Sequence, residues 1–156
     1  MKKFFFDCGT RDTTASVGIL ALRVMTGLMM LIGHGIPKIQ NFDAILKKSF
    51  YQPDFFPLNL LPVQVNLGLT ISAEAVASSL IVLGLFTRPA AFILGFAMVV
   101  AAFGALASAP WFMVGAGAAR EPALLYLIPM IAIILSGAGS YSLDAVLYKD
   151  SKRRRW

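Results

Sequence analysis

The fold is decided first by a long apolar stretch near the N-terminus, residues 15–35, which reads ASVGILALRVMTGLMMLIGHG. The stretch contains one charged side chain, Arg23. A helix of this length spans about 30 Å at 1.5 Å per residue, which matches the hydrocarbon core of a bilayer. No small-x-small cleavage pattern follows before Lys38, so the stretch is predicted to be a retained membrane span rather than a signal peptide.

Three further stretches have similar length and apolar character, at residues 65–86, 89–109 and 122–139. Pro89 and Pro122 stand where a first helical turn tolerates proline. We therefore predict an all-α protein, an integral membrane four-helix bundle that occupies residues 1–156 as a single domain.

The overall composition supports a membrane protein. Of the 156 residues, 58% are hydrophobic and 14% are charged, whereas average globular domains have about 45–50% and about 25%. These proportions exclude a disordered chain, a nucleic-acid-binding domain and a typical cytosolic enzyme. The single cysteine, Cys8, excludes an intrachain disulfide and a Cys-ligated zinc or iron–sulfur site.

The distribution of basic residues predicts the orientation. Four spans place both termini on one side, and that side carries nine Lys and Arg residues against four on the other. Because basic residues collect on the cytoplasmic side, both termini are predicted to be cytoplasmic, in a multi-pass protein of the bacterial inner (plasma) membrane. The nine are Lys2, Lys3, Arg11, Arg88, Lys149, Lys152, Arg153, Arg154 and Arg155. The basic tail is expected to contact anionic lipid rather than nucleic acid.

The longest connection, residues 36–64, is predicted to lie on the outer side. Between Phe50 and Pro62 it contains four aromatic residues and three prolines, which is typical of an interfacial segment and equally of a lid over a site. After the last span, residues 142–148 are predicted to form a short cytoplasmic helix with Ser142 as its N-cap.

A stripe of small residues follows the third span at every fourth position. Such a stripe lets two helix backbones approach closely. It predicts either packing within the chain or a seam between two copies, and the second alternative would make the protein a homo-oligomer. The stripe consists of Ala97, Ala101, Ala105 and Ala109.

Polar residues at membrane depth are the candidates for function, because each is costly there. Counting about 100° per residue places four residues of the first span within a sector of roughly 60°. These are Arg23, Gly27, His34 and Lys38. The same count places Glu74, Ser78, Ile81 and Arg88 on one face of the second span. If the two faces meet, Arg23 and Glu74 are expected to neutralise each other.

This polar set has two interpretations. It is either a structural ion pair that fixes helix register, or a polar pocket for a headgroup with carbonyl oxygens, such as a quinone. His34 would donate to a quinone oxygen or relay a proton, or it is simply an interfacial residue. The candidate ligand-binding residues are Arg23, His34, Lys38, Glu74 and Arg88. No bound metal or haem is expected, and the single histidine excludes a bis-His haem site.

The sequence resembles the DoxX family of small four-helix bacterial membrane proteins from about Leu20 to Leu147. The motifs that carry the resemblance are Leu22-Arg23, Gly27, His34-Gly35-x-x-Lys38, Glu74, Leu83-Gly84-Leu85-Phe86-Thr87-Arg88, Ala90-Ala91, Glu121, Gly137-Ala138-Gly139 and Tyr141-Ser142-Leu143-Asp144. The family is named after a subunit of a terminal quinol oxidase and thiosulfate:quinone oxidoreductase system, and many members have no assigned activity.

The resemblance implies a subunit of a quinone-linked membrane oxidoreductase or respiratory complex, with a quinone or lipid headgroup as ligand and other membrane or redox subunits as partners. The alternatives are a non-catalytic scaffold or assembly subunit and, third, a small-molecule transporter. The residues define no complete catalytic constellation, so whether the chain is itself an enzyme stays open.

Overall fold

The computed structural model describes residues 9–10, 12–48, 50–115 and 117–147. Within these ranges all regular structure is helical and no strand occurs, which confirms the all-α class. Cys8, the basic residues of both terminal segments and residue 148 of the predicted cytoplasmic helix lie outside the described residues.

Five helices make up most of the described chain: α1 (Thr13–Gln40), α2 (Phe42–Lys47), α3 (Val63–Leu83), α4 (Thr87–Ala105) and α5 (Glu121–Ser136). Helices α1, α3 and α4 are long and apolar enough to cross a membrane, and α5 is apolar but shorter. A 3-10 turn covers Leu58–Leu60, and residues 143–147 form another short helix, α6.

The long helices pack around a common apolar core. Helix α1 packs against α3 and α5, and α4 packs against α3 and α5. The fully buried side chains at their contacts include Met30, Ile81, Leu94, Met130 and Ile133. Large apolar side chains also cover the outside of the helices, which is the surface that a surrounding bilayer would stabilise.

Helix α1 is longer than the span predicted from its sequence. The predicted span ends at Gly35, whereas the helix passes through a π-helical turn at Leu31–Gly35 and continues to Gln40. The Ile36 N–H bonds the Leu31 carbonyl five residues back. This shifted pattern accommodates Pro37, which has no N–H to continue an α-helical ladder. The region predicted as an outer loop is therefore partly helical, with α2 and the end of α1 inside it.

A carboxylate from α6 holds the turn between α3 and α4. Asp144 accepts hydrogen bonds from the Phe86 N–H at 2.9 Å, the Thr87 N–H at 2.9 Å and the Thr87 hydroxyl at 2.8 Å. These are donors at the start of α4, where a negative charge is favourable. Ser142 in turn accepts from the Ala145 N–H at 3.1 Å and caps α6.

Candidate functional pocket

A cavity of about 300 Å³ lies between α3 and α4, beneath the segment of residues 50–58. Its walls are mostly apolar, and two charged side chains, Lys38 and Glu74, stand at one end. Leu69, Ile93 and Phe96 line the cavity and remain about half exposed on the outside of the helices. The pocket therefore opens through an apolar flank of the protein.

The two charged residues form an ion pair. The Lys38 ammonium, near the end of α1, donates to both carboxylate oxygens of Glu74 in the middle of α3. Glu74 is only 5% exposed, whereas the Lys38 side chain remains 28% exposed. Pairing offsets the large cost of burying the carboxylate alone.

The predicted pairing of Arg23 with Glu74 is wrong. Arg23 is completely buried, and its guanidinium donates to the carbonyls of Ile81 at 2.9 Å and Tyr141 at 2.7 Å. Ile81 lies seven residues beyond Glu74, which is roughly 10 Å along a helix. Arg23 therefore joins α1 to the α3–α4 turn and does not line the pocket.

Each membrane-length helix contains a π-helical turn beside the pocket. The first, Leu31–Gly35, immediately precedes the turn that carries Lys38; the second, Ser72–Ala77, contains Glu74; the third, Ala101–Ala105, forms part of the wall. A π turn adds one residue and changes the direction of the side chains that follow, and such turns occur frequently at functional sites. Their coincidence at one cavity indicates that this region is specialised.

Gly35 brings the first two π turns into contact. A Cβ atom at this position would lie 3.0 Å from both the Glu74 carbonyl oxygen and the Ala75 Cα. Both are backbone atoms and cannot rotate away, so only glycine lets α1 approach α3 closely enough for Lys38 to reach Glu74.

We expect Gly35→Ala to lower the free energy of unfolding by about 1–3 kcal/mol through overpacking. Gly33→Ala is the matched control, because a Cβ there would meet nothing within 4 Å; it should be neutral or stabilising by up to ~1 kcal/mol. Thermal unfolding in detergent micelles measures both. Equal stability of the two variants would contradict the close approach at Gly35.

The segment of residues 50–58 forms the roof of the pocket. Phe50, Tyr51, Pro53 and Leu58 line the cavity. The Tyr51 ring lies so close to α4 that a Cβ at Gly104 would be 2.6 Å from its hydroxyl oxygen. These contacts favour a lid over a site rather than an ordinary aromatic belt.

The small-residue stripe of α4 lies largely on the pocket wall. Ala97, Ala101 and Ala105 line the cavity, and Ala109 lies past the end of α4, where its carbonyl accepts from the Arg120 Nε–H at 3.2 Å. The close approach of α4 to α5 occurs instead at Gly95, where a Cβ would lie 3.3 Å from the Met130 Cβ. The small stripe thus leaves space for the cavity.

Two other predicted site residues lie away from the pocket lining. His34 is exposed, and its ring meets Tyr126 of α5 edge-to-face with 5.7 Å between centroids. Arg88 is half-buried in the first turn of α4, at the end where α3 and α4 are joined. Of the five predicted ligand-binding residues, the structure brings Lys38 and Glu74 together at the cavity.

Three polar residues that line the pocket are not among the predicted site residues, namely Tyr51, Asn66 and Thr70. The signal for Asn66 was available, because it is a polar residue one turn into an apolar helix. Among the residues that the structure describes, no group of three or more His, Cys, Asp or Glu side chains could hold a metal ion.

A comparison with protein families matches the DoxX model to residues 18–114, more than half of the chain. The chain belongs to the DoxX family. The match includes Lys38, Glu74 and the roof segment, so this DoxX protein carries its pocket within the family region. Together with the apolar helices, the assignment identifies a multi-pass membrane protein.

Among curated proteins, the chain is similar to an uncharacterized protein of Haemophilus influenzae. The two are 26% identical over 152 residues, which cover 96% of each chain. The relative therefore has the same extent as this DoxX protein. No solved structure matches the chain.

Proposed function

We propose that this DoxX protein is a membrane subunit of a quinone-linked oxidoreductase or respiratory complex and binds a quinone headgroup in the pocket. The observation that carries the proposal is the Lys38–Glu74 pair at one end of an apolar cavity that opens on the lipid-facing flank. Such a site suits a ligand with a polar ring and an apolar tail.

The donors and shape of the pocket fit a quinone ring. An ammonium group has three donors. Lys38 uses two of them for the two carboxylate oxygens of Glu74, so one donor remains for a ligand carbonyl. Tyr51 and Phe96 offer aromatic surfaces along the wall. The volume of about 300 Å³ lies at the lower end of the range for small-molecule sites, which suits a headgroup while the tail stays in lipid.

The roles of the two charged residues follow from their chemistry. Lys38 orients the headgroup and favours negative charge on its oxygen, and Glu74 balances the ammonium and can accept a proton. Quinone supplies the redox chemistry when bound. In this proposal the electrons come from a partner redox subunit.

The arrangement in the membrane follows from the charge distribution. The proposal places four spans in the bacterial inner membrane with both termini in the cytoplasm, on the side that carries the larger number of basic residues. Lys38 and the roof segment then lie toward the outer half of the bilayer. Lipid contacts the apolar outer faces of the helices, and the outer loops are available to partner subunits.

The proposal is tested by titrating the purified protein with a short-tailed benzoquinone in detergent micelles. Lys38→Met should weaken binding by at least about tenfold, since it removes a charge-assisted hydrogen bond worth roughly 1.5–3 kcal/mol. Lys47→Met is the control, because Lys47 is exposed, and it should bind like the wild type. Absence of binding to the wild type, with reproducible companion subunits after gentle purification, would favour the scaffold alternative.

A further inference from the structure

The connection between α4 and α5, residues 106–120, has the composition of a membrane segment rather than of an aqueous loop. We call it the α4–α5 loop. Residues 89–119 contain no Asp, Glu, Lys or Arg, so the uncharged stretch that begins in α4 continues up to Arg120. Helix α5 has 16 residues, or roughly 24 Å, which is less than the hydrocarbon core of about 30 Å. A helix this short leaves its connections near or within the apolar layer.

The tip of the α4–α5 loop presents four consecutive large apolar side chains to the outside. They are Trp111, Phe112, Met113 and Val114, and each is between 50% and 86% exposed. A contiguous apolar surface of this kind marks a contact with a membrane or another protein. The Trp111 ring also meets Phe103, a half-exposed residue of α4, edge-to-face with 6.3 Å between centroids. The tip is therefore continuous with the apolar outer flank of α4.

The two charged side chains that end the uncharged stretch satisfy the backbone of the loop. Arg120 donates from its guanidinium to three carbonyls beyond the end of α4, and Glu121 accepts from the Met113 N–H at 2.9 Å. The three carbonyls are those of Leu106 at 3.1 Å, Ala109 at 3.2 Å and Ala107. In water these groups would be hydrated, whereas lipid offers them no partner, so backbone groups at membrane depth must be satisfied within the protein.

The position of Trp111 is fixed by the same arginine. The Arg120 Cζ atom lies 4.6 Å from the centroid of the Trp111 ring, within the range of a cation–π contact. Tryptophan is enriched at the boundary between lipid headgroups and acyl chains, and an arginine beside it can keep its charge toward the polar side. The pair thus matches an interfacial depth, with the apolar tip on the lipid side.

We propose that the α4–α5 loop is a membrane-inserted element whose tip, Trp111–Val114, enters the headgroup and acyl-chain boundary. In the proposed orientation its partner is the lipid of the outer leaflet. Lipid is favoured over a protein because the tip carries no charge, extends the outer flank of α4 and belongs to a loop that satisfies its own backbone. The inference does not depend on the ligand of the pocket, and it leaves the connection between α1 and α3 as the outer surface open to partner subunits.

The test uses the natural fluorescence of Trp111. The chain has two tryptophans, Trp111 and Trp156, so Trp156→Phe leaves Trp111 as the only emitter. This full-length variant is reconstituted into phosphatidylcholine vesicles with bromine on the acyl chains either near the headgroup or near the bilayer centre. Shallow bromine should reduce the emission by roughly half, since an interfacial depth of about 5–10 Å brings the indole close to it. Deep bromine should quench less. Iodide on both sides should quench Trp111 several times less than dissolved N-acetyltryptophanamide.

Two substitutions at one position of the tip then assign the insertion to it. Val114→Asp, in the Trp156→Phe background, places a charge where the tip would enter lipid, which is costly. Quenching by shallow bromine should be lost, and quenching by iodide should rise about twofold or more as the loop moves into water. Val114→Leu keeps an apolar side chain and should behave like the parent.

Each other result overturns the proposal in a different way. Iodide quenching equal to that of N-acetyltryptophanamide, without bromine quenching, would place the loop in water. Protection from both quenchers would mean that protein, including a second copy of the chain, covers the tip. Stronger quenching by deep than by shallow bromine would overturn the interfacial depth. Unchanged quenching in Val114→Asp would show that the tip does not hold the loop in the membrane.

Discussion

Replacing Asp144 with alanine is expected to destabilise the protein by about 3–5 kcal/mol, the range for removing one partner from a buried, hydrogen-bonded charge. The carboxylate is 1% exposed and accepts three hydrogen bonds at the start of α4. It also lies within electrostatic reach of the buried Arg23 guanidinium. Its removal leaves two backbone N–H groups and a buried cation without their compensating charge.

The measurement is thermal unfolding in detergent micelles. Asp54→Ala serves as the control, because Asp54 is exposed on the roof segment, and a change within about 0.5 kcal/mol is expected there. Asp144→Asn keeps one carbonyl acceptor and should fall between the two. If Asp144→Ala unfolds at the same temperature as Asp54→Ala, the carboxylate does not hold the α3–α4 turn.

Filling the pocket from its wall should strongly weaken ligand binding without removing any charge. Ala101 is half-buried, lines the cavity and belongs to the third π turn. Ala101→Phe places a ring in the space that the headgroup would occupy, so we expect the affinity for a short-tailed quinone to fall by about a hundredfold, which corresponds to roughly 2.8 kcal/mol.

The control for this substitution lies on another face of the same helix. Val99 is exposed, and Val99→Phe adds a ring to a surface that faces outward. It should unfold and bind like the wild type. Loss of binding in both variants would indicate a general effect on α4, and unchanged binding in Ala101→Phe would place the ligand outside this cavity.

Much of the fold could be predicted from the sequence, because membrane spans require long apolar stretches and leave a clear signal. The pairing of the charged residues could not. The prediction counted about 100° per residue from Arg23 to Lys38, but the turn Leu31–Gly35 inserts one residue into that helix. Each inserted residue changes the phase by about 100°, so a face counted from one end of the helix does not continue to the other.

The pocket itself depends on tertiary contacts that periodicity does not contain. Its roof is held by the Gln52 amide, which donates to the Leu61 carbonyl at 2.7 Å, and by Phe55, which meets Phe96 edge-to-face at 6.3 Å between centroids. The small stripe of α4 predicts close packing, either within the chain or between two copies, because small residues permit close helices. They equally leave a cavity when a neighbouring segment spans them, and sequence alone does not distinguish these outcomes.

The lateral mouth of the pocket also determines how affinity should be expressed. A ligand that enters between Leu69, Ile93 and Phe96 arrives by diffusion within the membrane plane, so its mole fraction in lipid, rather than its concentration in water, drives occupancy. A long-tailed quinone is concentrated in the bilayer by its apolar chain. Weak intrinsic binding is then sufficient for high occupancy, and exchange with the membrane pool can remain rapid.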